Sequence, residues 1–169
     1  MLATLALGWA VGDGTTSVDS WFHRITREAL GGQPRWLLIF TSSQLALAVL
    51  VSCQLVALRR RQWKLSTAVL VCPFLATAIG EALKRLFDRR NGPYLEYPSG
   101  HTTLLVTALG MMVVIAAARV WAVTVAVAVS LLGMLGLIAC GYHYLTDTIG
   151  AALLATTLVC GAARLTSPL

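Results

Sequence analysis

Long apolar runs, separated by short charged segments, constrain the fold of this chain more than any single motif. Trp36 to Leu58 is the clearest run, and comparable runs follow at Leu65 to Leu83, Thr102 to Ala118, Ala122 to Gly141 and Thr148 to Ala163. A helix needs about 20 apolar residues to cross the hydrocarbon core of a bilayer, because each residue adds only about 1.5 Å. The runs therefore predict an all-α polytopic membrane protein.

The composition agrees with this prediction. Charged residues make up 12% of the 169 residues, and the mean hydropathy is +0.77. Ordinary soluble domains carry about 25% charged residues, so a soluble domain is excluded. We expect one integral membrane domain over residues 1–169. The net charge of +6 is then explained by cationic loops that orient membrane helices, and nucleic-acid binding is not expected.

The N-terminal region predicts a short first span followed by a helix on the membrane surface. Met1 to Val11 is apolar but has only about half of a spanning length. Asp19 is then predicted to be the N-cap of an amphipathic helix that stops at Gly31, with His23 solvated on its polar face. The predicted fold is thus a six-transmembrane-helix bundle with an interfacial amphipathic helix after the first span.

The distribution of charge predicts the orientation of this bundle. The loop Arg59 to Lys64 is strongly basic, and the positive-inside rule places such a loop on the cytoplasmic side. Counting spans from it places Arg119 and Arg164 on the same side. The polar stretches Lys84 to His101 and Tyr142 to Asp147 then lie on the extracytoplasmic side.

The cysteines give no sign of a metal site or a disulfide framework. Each lies inside an apolar run, without C-x-x-C spacing or a histidine at ligand distance: Cys53, Cys72, Cys140 and Cys160. They are predicted to be small buried residues. Cys140 also continues a small-residue stripe with Gly133 and Gly136, which would let neighbouring helices approach closely. Neither a metal nor a cofactor is expected.

The stretch from Lys84 to His101 is the one long polar interruption in the middle of the chain. It contains four cations, two acids and a histidine between two apolar runs. Glu81 lies within helical reach of Lys84 and Arg85, so an ion pair that supports this cluster is expected. A cationic cluster at the mouth of a membrane bundle predicts an anionic ligand.

The segment Pro98-Ser99-Gly100-His101 directly precedes a predicted span. The first amides of a helix have no partner within the helix, so those of Gly100, His101 and Thr102 would point towards the cluster. A helix N-terminus with free amides is a ready anion-binding site. The two features therefore predict the same kind of ligand.

His143 and Asp147 complete a set of groups suited to phosphoryl transfer. They are four residues apart, a separation that allows a carboxylate to fix the imidazole tautomer and raise its basicity. His143 would attack phosphorus and carry it as a phosphohistidine, and His101 would protonate the leaving oxygen and later activate water. The groups expected to hold the phosphate oxygens are Lys84, Arg89 or Arg90, and the amides of Ser99 and Gly100.

These residues resemble the motifs of the type 2 phosphatidic acid phosphatase (PAP2) superfamily, which are Lys-x6-Arg-Pro, Pro-Ser-Gly-His and Ser-Arg-x5-His-x3-Asp. The middle motif is complete at Pro98 to His101, and the third ends as His143 with Asp147. The resemblance covers Lys84 to Asp147 by motif and most of the chain by its span pattern. It implies a six-helix core and metal-independent hydrolysis of lipid phosphates, with a bacterial inner membrane as the natural location.

Two positions depart from the family's motifs. Counting from Lys84, the first motif's arginine falls on Asn91 and its proline on Gly92, so a neighbouring arginine would have to substitute. The Ser-Arg pair of the third motif falls on Gly136 and Leu137. Losing one phosphate-binding donor can lower a rate by about 10²–10³. A catalytically silent protein that binds a lipid phosphate or scaffolds other enzymes is therefore an alternative to an active phosphatase.

The sequence leaves the substrate open. By the resemblance, candidates are polyprenyl phosphates or diphosphates, phosphatidylglycerol phosphate, phosphatidic acid and a polyprenyl-phosphoribose phosphate. A lipid phosphotransferase would use the same residues, and no oligomeric state is indicated. The tyrosines of the polar stretches either line a headgroup site or belong to an interfacial belt: Tyr94, Tyr97, Tyr142 and Tyr144.

Overall fold

Helices form most of the computed structural model, which describes residues 1–91 and 93–166. Within those residues seven α-helices follow one another: Leu2–Val11 (α1), Ser17–Ala29 (α2), Ser43–Arg59 (α3), Trp63–Phe87 (α4), Gly100–Ile115 (α5), Val120–Ala139 (α6) and Leu145–Thr166 (α7). A 3-10 helix at Arg35–Thr41 precedes α3. Two short strands, Arg90–Asn91 (β1) and Tyr94–Leu95 (β2), form an antiparallel hairpin between α4 and α5. The all-α prediction is confirmed apart from this hairpin.

Four helical segments have the length and apolar composition to cross a membrane. They are Arg35–Arg59, Trp63–Phe87, Val120–Ala139 and Leu145–Thr166. The apolar helices α1 and α5 have 10 and 16 residues, which correspond to about 15 Å and 24 Å, against a hydrocarbon core of about 30 Å. The chain is therefore a helical membrane protein, and six complete spans remain a prediction.

The two ends of the bundle differ in chemistry. Arg60, in the turn between α3 and α4, donates a hydrogen bond to the Ile115 carbonyl oxygen at the end of α5. The basic turn and the turn between α5 and α6 therefore lie at one end. The hairpin, the start of α5 and the turn between α6 and α7 lie at the other. This arrangement agrees with the predicted grouping of the loops, whereas the side of the membrane each end faces remains a prediction.

The helix α2 is the predicted amphipathic helix, but its first turn differs from the prediction. Thr16, not Asp19, is the N-cap: its hydroxyl accepts a hydrogen bond from the Asp19 amide, and the Asp19 carboxylate accepts one from the Thr16 amide. This is a capping box with Asp in place of the usual Glu. The helix ends as predicted, with Gly31 at φ 68°. His23 is half-buried and not fully solvated, because its Nδ1 lies 2.7 Å from the Ile138 carbonyl oxygen of α6.

The helix α5 lies at the centre of the bundle, packed against α3, α4, α6 and α7. Its inner positions are buried on all sides, as at Ala108 and Met111. Gly110 permits the close approach of α7, because an added Cβ would come within 2.9 Å of a Val159 methyl group. The helix that begins with the Pro-Ser-Gly-His segment is therefore held rigidly by its neighbours.

The small-residue stripe predicted on α6 is confirmed at two positions. An added Cβ at Gly136 would lie 2.7 Å from the Leu37 Cβ, and one at Gly133 would lie 2.8 Å from the Thr41 Cγ2. Both contacts bring α6 against the 3-10 helix. The prediction of four buried cysteines holds for two of them only: Cys53 and Cys72 are buried, Cys140 is half-buried and Cys160 is exposed, and all four are free.

Tyr97 connects the hairpin end of the bundle to α1 and α7. Its side chain is fully buried, and its hydroxyl donates a 2.5 Å hydrogen bond to the Thr4 carbonyl oxygen. The ring packs edge-on against Phe87, with ring centroids 5.3 Å apart. It also lies over Gly150 of α7, where any Cβ would collide with it. Burial raises the pKa of Tyr97 to about 12, so the phenol stays a neutral donor.

Candidate active site

A cavity of about 810 Å³ opens at the hairpin end of the bundle, where α4 ends and α5 begins. The residues predicted to carry the chemistry meet there in part. The cavity is lined by both expected catalytic histidines, one expected phosphate-binding cation, one glycine expected to bind phosphate through its amide, a glutamate and two tyrosines: His101, His143, Lys84, Gly100, Glu96, Tyr94 and Tyr142. Residues from two separate polar stretches thus face one space.

The two histidines reach the cavity by different routes. His101 lies in the first turn of α5. His143 lies in the turn after α6. In that turn Gly141 has a φ of 77°, and the Gly141 amide donates a hydrogen bond to the Ile138 carbonyl oxygen. The left-handed conformation favours glycine at this position, as at many helix ends. The imidazole centroids of His101 and His143 lie 6.1 Å apart, so a phosphoryl group could fit between them.

The N-terminus of α5 offers fewer amides than predicted. The Ser99 hydroxyl caps the helix by accepting a hydrogen bond from the Thr102 amide, and the Ser99 amide donates to the Asp147 carbonyl oxygen. Ser99 is fully buried, so the expectation that its amide binds phosphate is wrong. The amides of Gly100 and His101 have no partner among residues 1–91 and 93–166. These two remain for an anion.

Lys84 is the one cation that lines the cavity among the described residues. Its Nζ lies 2.8 Å from the Glu81 Oε1, so the predicted ion pair is confirmed. Arg85, predicted as a second partner of Glu81, is exposed and lines no part of the cavity. Arg90 is also exposed, and it pairs instead with Asp88 at 2.9 Å. Arg90 does not line the cavity, and its phosphate-binding role stays a prediction.

Arg89 also has a different role from the one expected. Its side chain is 0% exposed, and its guanidinium forms ion pairs with Asp19 and Asp147, each at 2.7 Å. It donates two further hydrogen bonds to the Gly14 carbonyl oxygen and one to the Thr146 hydroxyl. Arg89 does not line the cavity, because two carboxylates and a carbonyl group already satisfy it. It joins α2, the hairpin and the start of α7.

Asp19 is the acid of this network that belongs to the interfacial helix. Burial alone would raise the pKa of its carboxyl group, but hydrogen bonds from the Thr146 amide, from Thr16 and from the Arg89 guanidinium lower that pKa overall. The carboxylate is therefore ionised at neutral pH. Sequence reasoning treated Asp19 as a helix cap only, since nothing in the local pattern pointed to Arg89, 70 residues away.

Asp147 does not pair with His143. It is the third residue of α7, where its Oδ2 accepts a 3.0 Å hydrogen bond from the Tyr144 amide while its Oδ1 accepts one from Arg89. The His-x-x-x-Asp spacing thus places the carboxylate as a helix cap. The carboxylate in contact with the imidazole is that of Glu96, whose Oε2 lies against the His143 Nδ1. Sequence reasoning missed Glu96.

Three of these groups are close enough to bind a cation together. Ligand atoms of Glu96, His143 and Asp147 lie within 4.8 Å of one another. Each is already engaged, however: Asp147 by Arg89 and a backbone amide, and Glu96 by His143. These contacts already occupy both carboxylates of the cluster.

Two of the four tyrosines lie where a headgroup would bind, and the other two have neither of the predicted roles. Tyr94 and Tyr142 line the cavity. Tyr97 is buried in the core, and the Tyr144 ring has the Arg89 guanidinium carbon 4.8 Å from its centroid. Of the two motif positions that lack arginine, Asn91 lines the cavity and Leu137 does not. Gly92, where the motif's proline would fall, lies outside the described residues.

A family model matches more than half of the chain. The model of the PAP2 superfamily covers residues 64–168, from the start of α4 to beyond the end of α7. The matched part contains both histidines of the cavity, together with Lys84 and Glu96. No curated protein and no solved structure was found to be similar to the chain.

Proposed function

The chain belongs to the PAP2 superfamily, whose members are in general phosphatases acting on phosphate esters, and from this premise we propose that it is a metal-independent lipid phosphate phosphatase. The observation that carries the proposal is the placement of two imidazoles, with centroids 6.1 Å apart, in one cavity with Lys84 and the N-terminus of α5. These groups supply a nucleophile, an acid and donors for phosphate oxygens.

In the first step the Nε2 of His143 attacks phosphorus. The N–P bond forms, the bond from phosphorus to the leaving oxygen breaks, and the electron pair of that bond goes to the leaving oxygen. His101, in its imidazolium form, gives its proton to that oxygen. Lys84 and the amides of Gly100 and His101 hold the other phosphate oxygens, where charge accumulates.

In the second step water releases the phosphate. The neutral imidazole of His101 removes a proton from a water molecule as its oxygen attacks phosphorus. The N–P bond breaks, and its electron pair returns to the Nε2 of His143. Inorganic phosphate leaves, and His101 is again an imidazolium. A lipid alcohol in place of water would make the same residues a phosphotransferase.

An apolar groove supports a lipid as the substrate. A second cavity of about 370 Å³ runs between α3 and α4, lined almost entirely by aliphatic and aromatic side chains. Thr77 and Leu104 line both this groove and the histidine cavity. A phosphate bound at Lys84 would therefore leave its apolar tail a continuous path into the helical bundle.

The substrate class follows from these two spaces and from the family. We propose polyprenyl phosphates or diphosphates, phosphatidylglycerol phosphate, phosphatidic acid and a polyprenyl-phosphoribose phosphate as candidates. The basic turn at the opposite end supports an extracytoplasmic active site in a bacterial inner membrane. All of these candidates carry a terminal phosphate on a lipid with at least one long apolar chain.

Phosphate release by purified protein tests the proposal. The wild type and His143→Ala are compared on these lipid phosphates in detergent micelles with a chelator present. We expect release that survives chelation and is lost in His143→Ala, whereas His23→Ala, which changes a histidine outside the cavity, retains it. Trapping a phosphoenzyme that is labile in acid and stable in alkali would identify the phosphohistidine. Release that persists in His143→Ala would contradict the mechanism.

One observation favours the alternative of binding without turnover. Lys84 is the one cation on the cavity wall among the described residues. No arginine on that wall takes the place of the two that the family motifs would supply. Phosphate release from none of the lipids, with binding of the same lipids still measurable, would support a catalytically silent lipid-phosphate-binding protein.

A further inference from the structure

We propose that a groove between α4 and α7, at the end of the bundle that carries the basic turn, binds an anionic phospholipid. One acyl chain lies in the groove, and the headgroup lies beside Lys64. The groove has a volume of about 530 Å³ and is lined by one face of each helix. It shares no lining residue with the histidine cavity. The bound lipid is therefore not a substrate and takes no part in phosphate release.

The height of the groove matches one leaflet of a bilayer. On α4 the lining residues extend from Lys64 to Leu75, which corresponds to a rise of about 17 Å. Half of a hydrocarbon core of about 30 Å is about 15 Å. The groove is thus deep enough for an acyl chain from the leaflet at the basic end. A spanning helix of a second copy would need about twice this height.

The helix α1 closes the groove at the middle of the bundle. It packs against α7, and its Trp9 ring meets the Phe87 ring of α4 edge-on, with centroids 6.0 Å apart. At the other end of α1, the Met1 amino group donates a 3.0 Å hydrogen bond to the Thr157 hydroxyl. Thr157 is also the first α7 residue of the groove. Among the described residues, α1 therefore fills the hairpin half of the cleft between α4 and α7, and the basic half is open.

The lining of the groove leaves room for an acyl chain. Small residues on both helices make this room, among them Ala68, Cys72 and Gly161. A Cβ added at Gly161 would meet no other residue within 4 Å, so the space beside this backbone is free. Larger apolar side chains also line the groove and are exposed, as at Val71 and Leu75. A flexible chain that lies between them gains van der Waals contacts with both helices.

The outer end of the groove is cationic. Lys64 directly follows Trp63, whose side chain is 66% exposed. An exposed tryptophan at the end of a span is typical of the headgroup level, so the Lys64 ammonium lies at that level. The turn from Arg59 to Arg61 precedes it and adds three positive charges. A basic site at the end of a groove between spanning helices favours an anionic headgroup.

The described part of the chain supplies no acidic partner for Lys64. It forms none of the ion pairs found there. The seven acidic side chains lie in or near the other end of the bundle: Asp13, Asp19, Glu28, Glu81, Asp88, Glu96 and Asp147. A lipid phosphate is the anion that a membrane supplies at the level of Lys64. The charge of the site and its apolar groove are therefore complementary to the two parts of one molecule.

The headgroup, not the acyl chain, determines which lipid binds. Every phospholipid has acyl chains, so the apolar lining does not distinguish one phospholipid from another. Phosphatidylcholine carries a cation beside its phosphate, whereas phosphatidylglycerol has a net negative charge. One basic side chain near an anionic headgroup raises affinity about fivefold. The preference for an anionic lipid should therefore depend on Lys64, and occupancy of the groove on the space beside Gly161.

Native mass spectrometry of the full chain, released from detergent micelles, tests the inference. The protein is titrated with phosphatidylglycerol or with phosphatidylcholine that has the same acyl chains. We expect one phosphatidylglycerol to bind at least about fivefold more tightly than phosphatidylcholine. Lys64→Gln should lower this preference about fivefold, and Gly161→Phe should remove the tight site because the ring fills the groove. Ala48→Phe, at an exposed alanine of α3 outside the groove, is the matched control and should bind as the wild type does.

The same titration identifies other occupants and other sites. Equal affinities for the two lipids, or wild-type binding in Gly161→Phe, would overturn the inference. A tight site that is lost in Lys84→Met and kept in Lys64→Gln would assign the lipid to the histidine cavity instead. A dimer that binds no phosphatidylglycerol would assign the groove to a second copy of the chain.

A second measurement uses the wild type and so does not depend on the folding of a variant. Phosphatidylglycerol with a diazirine near the end of one acyl chain is photolysed with the protein in micelles, and the labelled peptides are identified by mass spectrometry. We expect labels on α4 around Leu75 and on α7 around Thr157, where the acyl chain ends. Labels spread evenly over the helices, or confined to helices other than these two, would overturn the inference. Both measurements are independent of turnover, so they leave the proposed function to its own test.

Discussion

Replacing Arg89 by leucine would remove the central cation of the buried network. The guanidinium is 0% exposed and pairs with Asp19 and Asp147, each at 2.7 Å. Removing one partner from a buried ion pair costs ~3–5 kcal/mol, because an uncompensated charge remains. Here two carboxylates lose the same partner, and the Gly14 carbonyl oxygen loses two donors. We expect Arg89→Leu to lower the free energy of unfolding by at least ~4 kcal/mol.

Thermal unfolding of the purified protein in micelles measures this loss. For a chain of this size 1 kcal/mol corresponds to about 2–4 °C, so the midpoint should fall by about 8–16 °C. Arg90→Leu is the matched control: its ion pair with Asp88 is solvent-exposed, and such pairs contribute about 0–1 kcal/mol. Asp19→Asn should also cost less in the Arg89→Leu background than in the wild type, because the two groups interact. Equal midpoints for Arg89→Leu and Arg90→Leu would refute the network.

Three further predictions follow from other contacts. The lowered pKa of Asp19 stabilises the fold at pH values above the ordinary carboxyl pKa of 3.8. This stabilisation is lost as the pH falls through the lower folded-state pKa. Thermal midpoints measured against pH should therefore fall more steeply in acid for the wild type than for Asp19→Asn. Lys84→Met should reduce phosphate release by about 10²–10³, while Lys64→Met, at the other end of α4, should not; equal losses would contradict the phosphate role of Lys84. Gly150→Ala should destabilise the protein by ~1–3 kcal/mol, because the added Cβ would collide with Tyr97. Gly161→Ala, which has open space in the same helix, should be neutral or stabilising. Thermal midpoints of the two variants test this difference.

The helices could be predicted from the sequence because their signals are local. Apolar runs of spanning length mark the segment Arg35–Arg59 and the helices α4, α6 and α7 within a few residues of their observed bounds. The left-handed glycine at the end of α2 also has a local signal, since few other residues adopt that conformation. The N-cap was placed three residues late, at Asp19 rather than Thr16, because both residue types cap helices and the capping box uses both.

The partners of the buried charges could not be predicted, because they depend on contacts between distant segments. Arg89 meets Asp19 and Asp147 across 70 and 58 residues. By sequence alone, Arg89 belonged to a run of cations at the mouth of a bundle, and such a run favoured a phosphate-binding role. At the end of α4, Asp88 adopts a left-handed conformation at φ 44°. The two arginines that follow it have different environments. Arg89 is buried and Arg90 is exposed.

The negative charge of a bound phosphate can be balanced although the two motif arginines are missing. Leu137 is 2% exposed and lies beside the contact of α6 with the 3-10 helix, so this position adds no charge to the site. A phosphate monoester carries close to two negative charges at neutral pH. Lys84 and an imidazolium at His101 supply two positive charges, and a helix N-terminus adds about half of one. The ion pair of Lys84 with Glu81 would open towards the phosphate, because Glu81 is 55% exposed and water can solvate its freed carboxylate. These groups therefore offset the charge of the phosphate itself without an arginine.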